Sequence, residues 1–232
     1  RVPLPKPPKI HLKQNIVKNN EFDINKTNTN NWQKSILGHA LIGEKKAFER
    51  LEFFINNGLK NYKDGRNFPS QDNVSRLAPN FHFGEISPNK VWYTVVNNKQ
   101  NENTDHFLSE LGWREFSNHL LYHFPQFIYE NLQKKFDGFP WKNDGIALKK
   151  WQKGLTGFPL VDAGMRELWQ TGFMHNRVRM VTASFLVKNL LIHWHHGADW
   201  FWDCLVDADL ASNSASWPVS YTHLRAHETT CD

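Results

Sequence analysis

Apolar residues recur every three or four positions along most of this chain, and no stretch shows the strict alternation that a half-buried strand requires. This three-to-four-residue spacing predicts helices at 43–54, 90–97, 107–124, 146–153, 159–171, 178–194 and 199–205. Residues 61–88 are rich in Asp, Asn, Ser, Pro and Gly, which is typical of an ordered loop with short turns. The spacing therefore predicts an all-α fold.

Three segments of the chain differ in composition. Residues 1–31 contain a proline-rich run followed by Asn, Lys and Thr without an apolar period, which is typical of a linker. Residues 32–217 hold the helical patterns and are predicted to form one domain. Residues 218–232 have no clear apolar face and no helix cap. We interpret them as a foreign or frame-shifted tail, with a short native polar tail as the alternative.

The composition also narrows the functional classes. The two cysteines, Cys204 and Cys231, make neither a disulfide framework nor a paired zinc pattern. The longest apolar run, residues 180–194, is interrupted by Lys188 and Asn189 and is too short to span a membrane. The sequence contains no glycine-rich dinucleotide motif and no Walker loop. We therefore expect an intracellular protein that uses neither a membrane nor a metal.

The net charge and the aromatic content indicate a polyanionic partner. A net charge of +5 accompanies ten tryptophans and seventeen phenylalanines. This combination suits a polyanion whose bases can stack on aromatic rings. An aromatic-rich helical core with a mildly basic surface is the alternative interpretation.

Residues 172–180 indicate a binding face. If Gly172 ends one helix and Asn176 opens the next, then Asn176, Arg179 and Met180 share a face, while Arg177 points elsewhere. A guanidinium on a dry face would need complete pairing, so this face is predicted to contact a polar ligand. A solvated arginine beside an ordinary core methionine is the alternative.

A second stripe lies on the helix predicted at 107–124. Glu110, Trp113 and Arg114 are spaced so that an acceptor, a stacking surface and a cation line one side. Such a stripe suits a base turned out of a nucleic acid duplex. A surface ion pair between Glu110 and Arg114 over a core tryptophan is the alternative.

Three further groups are candidates for polar contacts. The turn at 74–78 offers backbone N–H groups and the Ser75 hydroxyl to a phosphate. Asp207, Asp209 and Asn213 could accept from a ribose hydroxyl and a ring N–H, although helix capping by aspartate is an alternative and a metal site is a weaker one. The histidines at 193–196 are interpreted as a solvated helix C-terminus.

Together these residues resemble one known family. The matching motifs are Tyr62 and Arg66, SRL at 75–77, HFGEISP at 82–88, WREF at 113–116, GLTGFPLVDA at 154–163, MHNR at 174–177 and DADLASN at 207–213. They occur in the same order in the photolyase/cryptochrome family. The resemblance implies a helical domain that binds FAD, and light-driven electron transfer from reduced flavin to a cyclobutane pyrimidine dimer flipped out of DNA.

The resemblance also assigns roles to individual residues. It implies flavin contacts from Tyr62, Val74, Ser75, Arg76, Leu77, Ala78, Arg114, Asn176, Arg179, Asp207, Ala208, Asp209 and Asn213. It implies contacts with the lesion or the DNA backbone from Arg66, Glu110, Trp113, Arg114, Asn176, Arg177 and Met180. Glu110, Asn176 and Asn213 are the implied catalytic groups, and Asn213 would face the flavin N5. Trp141, Trp194 and Trp217 match the tryptophan chain that carries electrons to the flavin.

Within the family, the turn at 175–177 with Met180, together with Asn213, most resembles the class I enzymes that repair cyclobutane dimers. A cryptochrome-like light sensor and a DNA-binding fragment without photochemistry are the alternatives. We expect a monomer of the cytoplasm or nucleoid that acts on dimer-containing DNA. The resemblance also implies a truncated chain, without the upstream α/β antenna domain that carries a folate or deazaflavin pigment.

The sequence departs from the family pattern at four positions. Val74 and Ala78 replace hydroxyl residues at the ends of the phosphate turn. Phe107 and Phe173 stand where tryptophan is frequent. These differences put details of the phosphate and ring contacts in question, but not the family resemblance.

Overall fold

The computed structural model describes residues 31–98, 100–131 and 134–221, and in these ranges the chain forms α-helices and no strand. The α-helices are α1 Asn31–His39, α2 Glu44–Asn56, α3 Tyr62–Gly65, α4 Ala78–His82, α5 Pro88–Val96, α6 Glu102–His123, α7 Gly145–Gln152, α8 Pro159–Thr171, α9 Asn176–Ser184, α10 Trp194–Cys204 and α11 Leu210–Tyr221. Short 3-10 turns lie at Gly58–Asn61, Pro125–Ile128 and Lys134–Phe136. The all-α prediction is confirmed.

Local sequence explains where the helices begin and end. Helix α6 starts at a capping box, in which the Asn101 side chain accepts from the Thr104 N–H and the Thr104 hydroxyl accepts from the Asn101 N–H. Helix α8 begins with Pro159, whose missing N–H costs nothing in a first turn. It ends at Gly172, which has a left-handed φ of 68° and donates to the Leu168 carbonyl.

Two hydrophobic cores hold the helices. The first is formed by helices α2, α3, α5 and the first half of α6, and the second by α7 to α11. Helix α11 packs across α6, α9 and α10 and so joins the two cores. The connection matters because residues of the candidate site lie on α6, α9 and α11.

Helices α8 and α9 approach each other closely at a glycine. A Cβ placed on Gly164 would lie 2.3 Å from the Cγ1 atom of Val178 and 3.3 Å from the Cγ2 atom of Thr182. Only a residue without a side chain allows this approach. The contact fixes α9, and therefore Asn176 and Arg179, against α8.

The prediction of one helix at 178–194 is wrong. Helix α9 ends at Ser184 and is followed by a π-helical turn at Phe185–Asn189. Leu191 then adopts a left-handed φ of 56°, and its carbonyl accepts from the Lys142 N–H at 2.8 Å. Apolar spacing did not predict this break, because leucine rarely adopts such a backbone conformation.

The interpretation of the histidines at 193–196 as a solvated helix C-terminus is also wrong. They lie at the N-terminus of α10, where His193 is the N-cap and its ring accepts from the His195 N–H. His193 is half-buried, and the Nε2 atom of His195 is buried without a hydrogen-bond partner in the described part of the chain. His193 and His195 are therefore partly buried at the start of α10, whereas His196 is exposed.

Parts of the predicted domain division lie outside the described residues, namely 1–30 of the linker and 222–232 of the tail. Helix α11 continues past Trp217 to Tyr221, so it crosses the predicted boundary at 217. The division itself stays a prediction. Among the described residues, none of the helices has the length and apolarity needed to cross a membrane.

Candidate flavin site

A cavity of about 180 Å³ lies where α9, α10 and α11 meet. Its lining is mixed, with polar groups from α9 and α11 and apolar groups from α10. It is lined by Asn176, Arg179, Met180, Ala183, Phe201, Leu205, Asp207, Ala208, Asp209, Ser212, Asn213, Ser216 and Trp217. Residues predicted from three separate stretches of sequence therefore share one cavity.

The α9 side of the cavity has the predicted geometry. Asn176, Arg179 and Met180 all line it, as expected for residues at i, i+3 and i+4. Arg177 points away, and its Nε atom donates to the Asn67 side chain at 2.9 Å. Helix α9 thus presents an amide, a guanidinium and a thioether to the cavity.

Arg179 and Asp207 form a largely buried ion pair at the cavity wall. The Nη2 atom of Arg179 lies 2.8 Å from Oδ2 of Asp207, whose side chain is only 4% exposed. The Nε atom of Arg179 also donates to the Met174 carbonyl at 2.7 Å. The second carboxylate oxygen of Asp207 is buried and has no hydrogen-bond partner in the described part of the chain. A ligand N–H or O–H at this oxygen would remove the cost of an unpaired acceptor.

Helix α11 begins with polar groups at the same cavity. Asp209 accepts from the Ser212 N–H, so the capping role that the sequence left open is present. The Asn213 amide donates to the Ala198 carbonyl at 3.3 Å and accepts from the Trp217 indole N–H at 3.1 Å. The amide orientation is therefore set by a donor and an acceptor of the protein.

The predicted phosphate turn lies next to this cavity but does not line it. Arg76 has a left-handed φ of 54°, and the Ser75 hydroxyl accepts from the Leu77 N–H at 3.4 Å. The guanidinium of Arg76 lies 4.8 Å from the ring centre of Phe173, and that of Arg179 lies 5.9 Å from it. Phe173 thus connects the turn to the Arg179 side of the cavity.

Arg50 holds the phosphate turn in place. Its guanidinium donates to the carbonyls of Val74 and Ser75 and forms two hydrogen bonds with the Asp72 carboxylate. The hydrogen bond from Arg50 lowers the pKa of Asp72 below its ordinary value. Sequence reasoning missed Arg50. The available signal was an arginine within the apolar spacing of α2, between the buried Ala47 and Leu51.

Buried His175 lies at the centre of a positive cluster. Its Nδ1 atom accepts from the Arg177 N–H at 3.2 Å, and its Nε2 atom is buried without a partner in the described part of the chain. Burial lowers the pKa of His175, and the charges of Arg177, Arg76, Arg179 and Arg66 lower it further. Three of these guanidinium groups also form ion pairs, Arg66 with Glu110, Arg76 with Asp72 and Arg179 with Asp207, so much of the positive charge is balanced within the protein.

Arg66 and Glu110 form an ion pair beside Tyr62. The Arg66 guanidinium lies 5.3 Å from the Tyr62 ring centre, and its Nη1 atom donates to the Glu110 carboxylate. Burial raises the pKa of Tyr62 to about 12. The alternative ion pair between Glu110 and Arg114 is not formed, since Arg114 faces Glu115 instead.

Trp113 is the exposed aromatic surface of this region. Trp113 is 61% exposed, and its ring makes an edge contact with the ring of Phe116. Neither Trp113 nor Arg114 lines the cavity, although both lie on α6. Of the lesion contacts predicted on α6 and α9, the cavity therefore holds Asn176 and Met180 of α9 and none of those on α6.

The three predicted electron-transfer tryptophans pack in the second core. Trp217 lines the cavity and Trp194 is almost fully buried, while Trp141 packs at the margin of the core. The His193 ring lies 5.1 Å from Trp141 and 5.8 Å from Trp194, measured between ring centres. Burial lowers the pKa of His193 to about 4, with further lowering by His195 and His196, and an opposing effect of Asp137. The His193 ring therefore links Trp141 to Trp194, whereas the Trp217 ring packs on Phe201.

Sequence reasoning also missed the residue that binds Trp194. The indole N–H of Trp194 donates to the Asn131 side chain at 2.8 Å. Asn131 lies in a connection with no helical pattern, so spacing offered no signal for it. Among the described residues, no cluster of three or more His, Cys, Asp or Glu has a metal-binding arrangement.

Comparisons with known proteins identify the family of this chain. Residues 107–230 match the family model described as the FAD binding domain of DNA photolyase. The deoxyribodipyrimidine photo-lyase of Agrobacterium fabrum is 47% identical over 189 residues, which cover 80% of this chain and 40% of that protein. Cryptochrome-2 of Arabidopsis thaliana is 40% identical over 185 residues, which cover 75% and 30% of the two proteins.

Solved structures show the same relationship. A class III photolyase from Agrobacterium tumefaciens matches with a TM-score of 0.78 and 46% identity, over 82% of this chain and 40% of that chain. A cryptochrome from Synechocystis matches with a TM-score of 0.73 and 36% identity, over 79% and 40%. The class I assignment stays a prediction, because a class III enzyme is among these relatives. The chain spans about 40% of the length of the photolyases it matches, and it belongs to the DNA photolyase and cryptochrome family.

Proposed function

We propose that this chain binds FAD at the cavity between α9, α10 and α11 and contributes to light-driven repair of cyclobutane pyrimidine dimers in DNA. The observation that carries the proposal is the convergence of Asn176, Arg179, Asp207 and Asn213 on one cavity. These are polar groups with complementary donors and acceptors, and they are held on α9, on α11 and on the connection between α10 and α11. Such an arrangement is typical of a cofactor site rather than of an apolar core.

The residues present fit a flavin. The unpaired Asp207 oxygen can accept from an N–H of an isoalloxazine ring, and the Asn176 and Asn213 amides supply further polar contacts. Arg76, in the turn held by Arg50, has a half-exposed guanidinium that can contact a diphosphate. In a bound complex, FAD would supply the photochemistry and the one-electron transfer to the lesion.

Residues of this chain would bind the DNA and orient the lesion. Trp113 offers an exposed indole for stacking on an extruded pyrimidine. Met180 lies at the cavity edge, 44% exposed, where it can contact the same lesion. Arg177 and the Arg66–Glu110 pair lie beside this surface, and an arginine there can bind a DNA phosphate.

A light-sensing function without repair is the second candidate, because cryptochromes are among the relatives at 40% identity. The two candidates share the flavin cavity and the tryptophans. They differ in whether dimer-containing DNA is bound and split. Trp113 and Met180 are the residues whose roles distinguish them.

The test is to purify the chain, record its flavin absorption, and follow loss of thymine dimers under blue light with a dark control. Bound flavin with light-dependent dimer loss supports repair, and bound flavin without dimer loss supports sensing. DNA binding without flavin would refute the cofactor proposal and leave only a DNA-binding fragment.

Trp113→Ala tests the lesion contact directly. Loss of one stacking surface costs ~1–3 kcal/mol, which is about a 5-fold to 150-fold weaker affinity for dimer-containing DNA. Trp169→Ala is the matched control, since Trp169 is 57% exposed and stacks on Trp200 away from the cavity. Equal losses for damaged and undamaged DNA in Trp113→Ala would contradict the stacking role.

A further inference from the structure

The indole N–H of Trp194 is held by a neutral amide. Its Nε1 atom lies 2.8 Å from Oδ1 of Asn131, and both residues are buried, Trp194 at 1% and Asn131 at 9% exposed. An amide oxygen accepts a hydrogen bond but does not take up a proton in the pH range of proteins. The hydrogen bond therefore positions the Trp194 proton without offering it a base.

The orientation of this amide is fixed by chemistry. The Nδ2 atom of Asn131 donates to Oδ1 of Asp137 at 2.8 Å. An indole N–H can only donate and a carboxylate can only accept, so the amide oxygen must face Trp194 and the amide nitrogen must face Asp137. A flipped amide would place two donors against each other on one side. Asp137 thus keeps the non-basic end of Asn131 on the indole.

Two histidines near Trp194 contact its ring rather than its N–H. The His193 and His195 ring centres lie 5.8 and 3.9 Å from the Trp194 ring centre. The Trp194 N–H itself donates to Asn131, so neither imidazole holds the indole proton. Asp137 reaches Trp194 through the Asn131 amide, which separates this carboxylate from the indole proton.

We propose that Asn131 is a positioning residue that retains the indole proton of Trp194 while an electron passes through this residue. The inference rests on the proposed function and on the electron-transfer roles that the family resemblance implies for Trp141, Trp194 and Trp217. Retention of the proton leaves Trp194 as a strong oxidant of Trp141. Loss of the proton would leave a neutral radical that is a weaker oxidant, and the charge would stop there.

The proposed steps balance in electrons and protons. When bound, a photoexcited flavin would supply the one-electron oxidant, and Trp217 would give it one electron. Trp194 gives one electron to the oxidised Trp217 and becomes a radical cation with its N–H bond intact. Trp141 then gives one electron to Trp194 and carries the positive charge. No bond to hydrogen breaks at Trp194, and the Asn131 amide is unchanged.

The experiment uses the flavin-loaded chain with Trp141→Phe, which ends the chain at Trp194 and makes its oxidised form observable. Transient absorption then distinguishes the radical cation from the neutral radical. In this background we expect the Trp194 radical cation to persist, and we expect its decay to have the same rate in H2O and in D2O. The key variant adds Asn131→Asp and Asp137→Asn together, which exchanges the amide and the carboxylate while keeping composition and charge.

In the exchanged variant the carboxylate faces the indole and can take its proton. A positioned base accelerates proton transfer by about 100-fold or more, so we expect rapid appearance of the neutral radical, slowed in D2O. Asp137→Asn alone is the control, since it keeps the amide on Trp194, and it should show the cation. Identical decay of Trp194 in the parent and the exchanged variant would overturn the proposal. So would a neutral radical in the parent.

A measurement without flavin separates this inference from the proposed function. In the flavin-free chain, the Trp194 indole proton observed by NMR should exchange with solvent about fivefold more slowly than in Asn131→Leu. Equal exchange rates in the two proteins would contradict the hydrogen bond between Trp194 and Asn131, and the inference would fail with it. Bound flavin that shows no tryptophan oxidation in the unmodified chain would instead refute the electron-transfer chain, and the exchange result would still report on Asn131.

Discussion

Two glycine-to-alanine substitutions should change stability in opposite directions. Gly112 lies inside α6 with nothing within 4 Å of the place that a Cβ would take, whereas a Cβ on Gly164 inside α8 would lie 2.3 Å from the Val178 Cγ1 atom. Both substitutions gain helix propensity, which is worth ~1 kcal/mol. Only Gly164→Ala must also displace part of α9.

The size of the difference follows from the contact. Valine has one strongly preferred rotamer in a helix, so its methyl group cannot turn away from the new side chain. Overpacking of this kind costs ~1–3 kcal/mol, and a contact so far below van der Waals distance places it at the upper end. We therefore expect Gly112→Ala to stabilise the chain by ~1 kcal/mol and Gly164→Ala to destabilise it by about 2 kcal/mol.

Thermal and urea unfolding followed by circular dichroism measure both variants. For a domain of this size, the expected changes are a rise of about 2–4 °C for Gly112→Ala and a fall of about 4–8 °C for Gly164→Ala. Adding Val178→Ala should rescue part of the loss in Gly164→Ala, because it removes the clashing methyl group. Equal stabilisation by both glycine substitutions would refute the close packing of α8 on α9.

Three further predictions concern charged and titratable groups. Arg179→Met leaves the buried Asp207 carboxylate without its cation, so we expect a loss of ~3–5 kcal/mol in urea unfolding and no flavin retention on gel filtration; unchanged stability would contradict the burial of the pair. His193 has its pKa lowered to about 4 by burial and by two neighbouring histidines, so the unfolded state binds the proton more tightly. Stability should therefore fall as pH decreases from about 6.5 to about 4, and His193→Asn, which can still cap α10, should reduce this dependence without abolishing it, because burial also lowers the pKa of His175 and of His195. Arg50→Lys removes the paired hydrogen bonds to Asp72 and should lower the affinity for FAD, measured by fluorescence titration, more than it lowers stability. An unchanged affinity would contradict a role of the phosphate turn in FAD binding.

Much of the candidate site follows from short-range sequence rules. Gly172 and Asn176 mark a helix end and a helix start, and that alone places Asn176 and Arg179 on one face. The structure agrees at both positions, since Gly172 is left-handed and α9 begins at Asn176. Helix spacing depends on backbone geometry that is the same in every protein, so it can be read without knowing what the helix contacts.

Other features depend on residues that are distant in sequence. Arg50 holds a turn that begins more than twenty residues later, and Asn131 binds an indole 63 positions away. Side-chain contacts of this kind follow from how helices pack and leave no periodic signal. The break at Leu191 also escaped prediction, because its strained backbone is stabilised by a hydrogen bond from Lys142 in another segment.

The sequence by itself determined that the described chain is helical, the approximate bounds of α2, α5, α7 and α8, and that Asn176 and Arg179 stand together on α9. Those properties depend on local backbone preferences, caps and the 3.6-residue period. The tertiary structure decided which helices enclose the cavity, that Arg179 pairs with Asp207, and that Trp194 donates to Asn131. These contacts join residues far apart in sequence, and only the packing of the two cores brings them within hydrogen-bond distance.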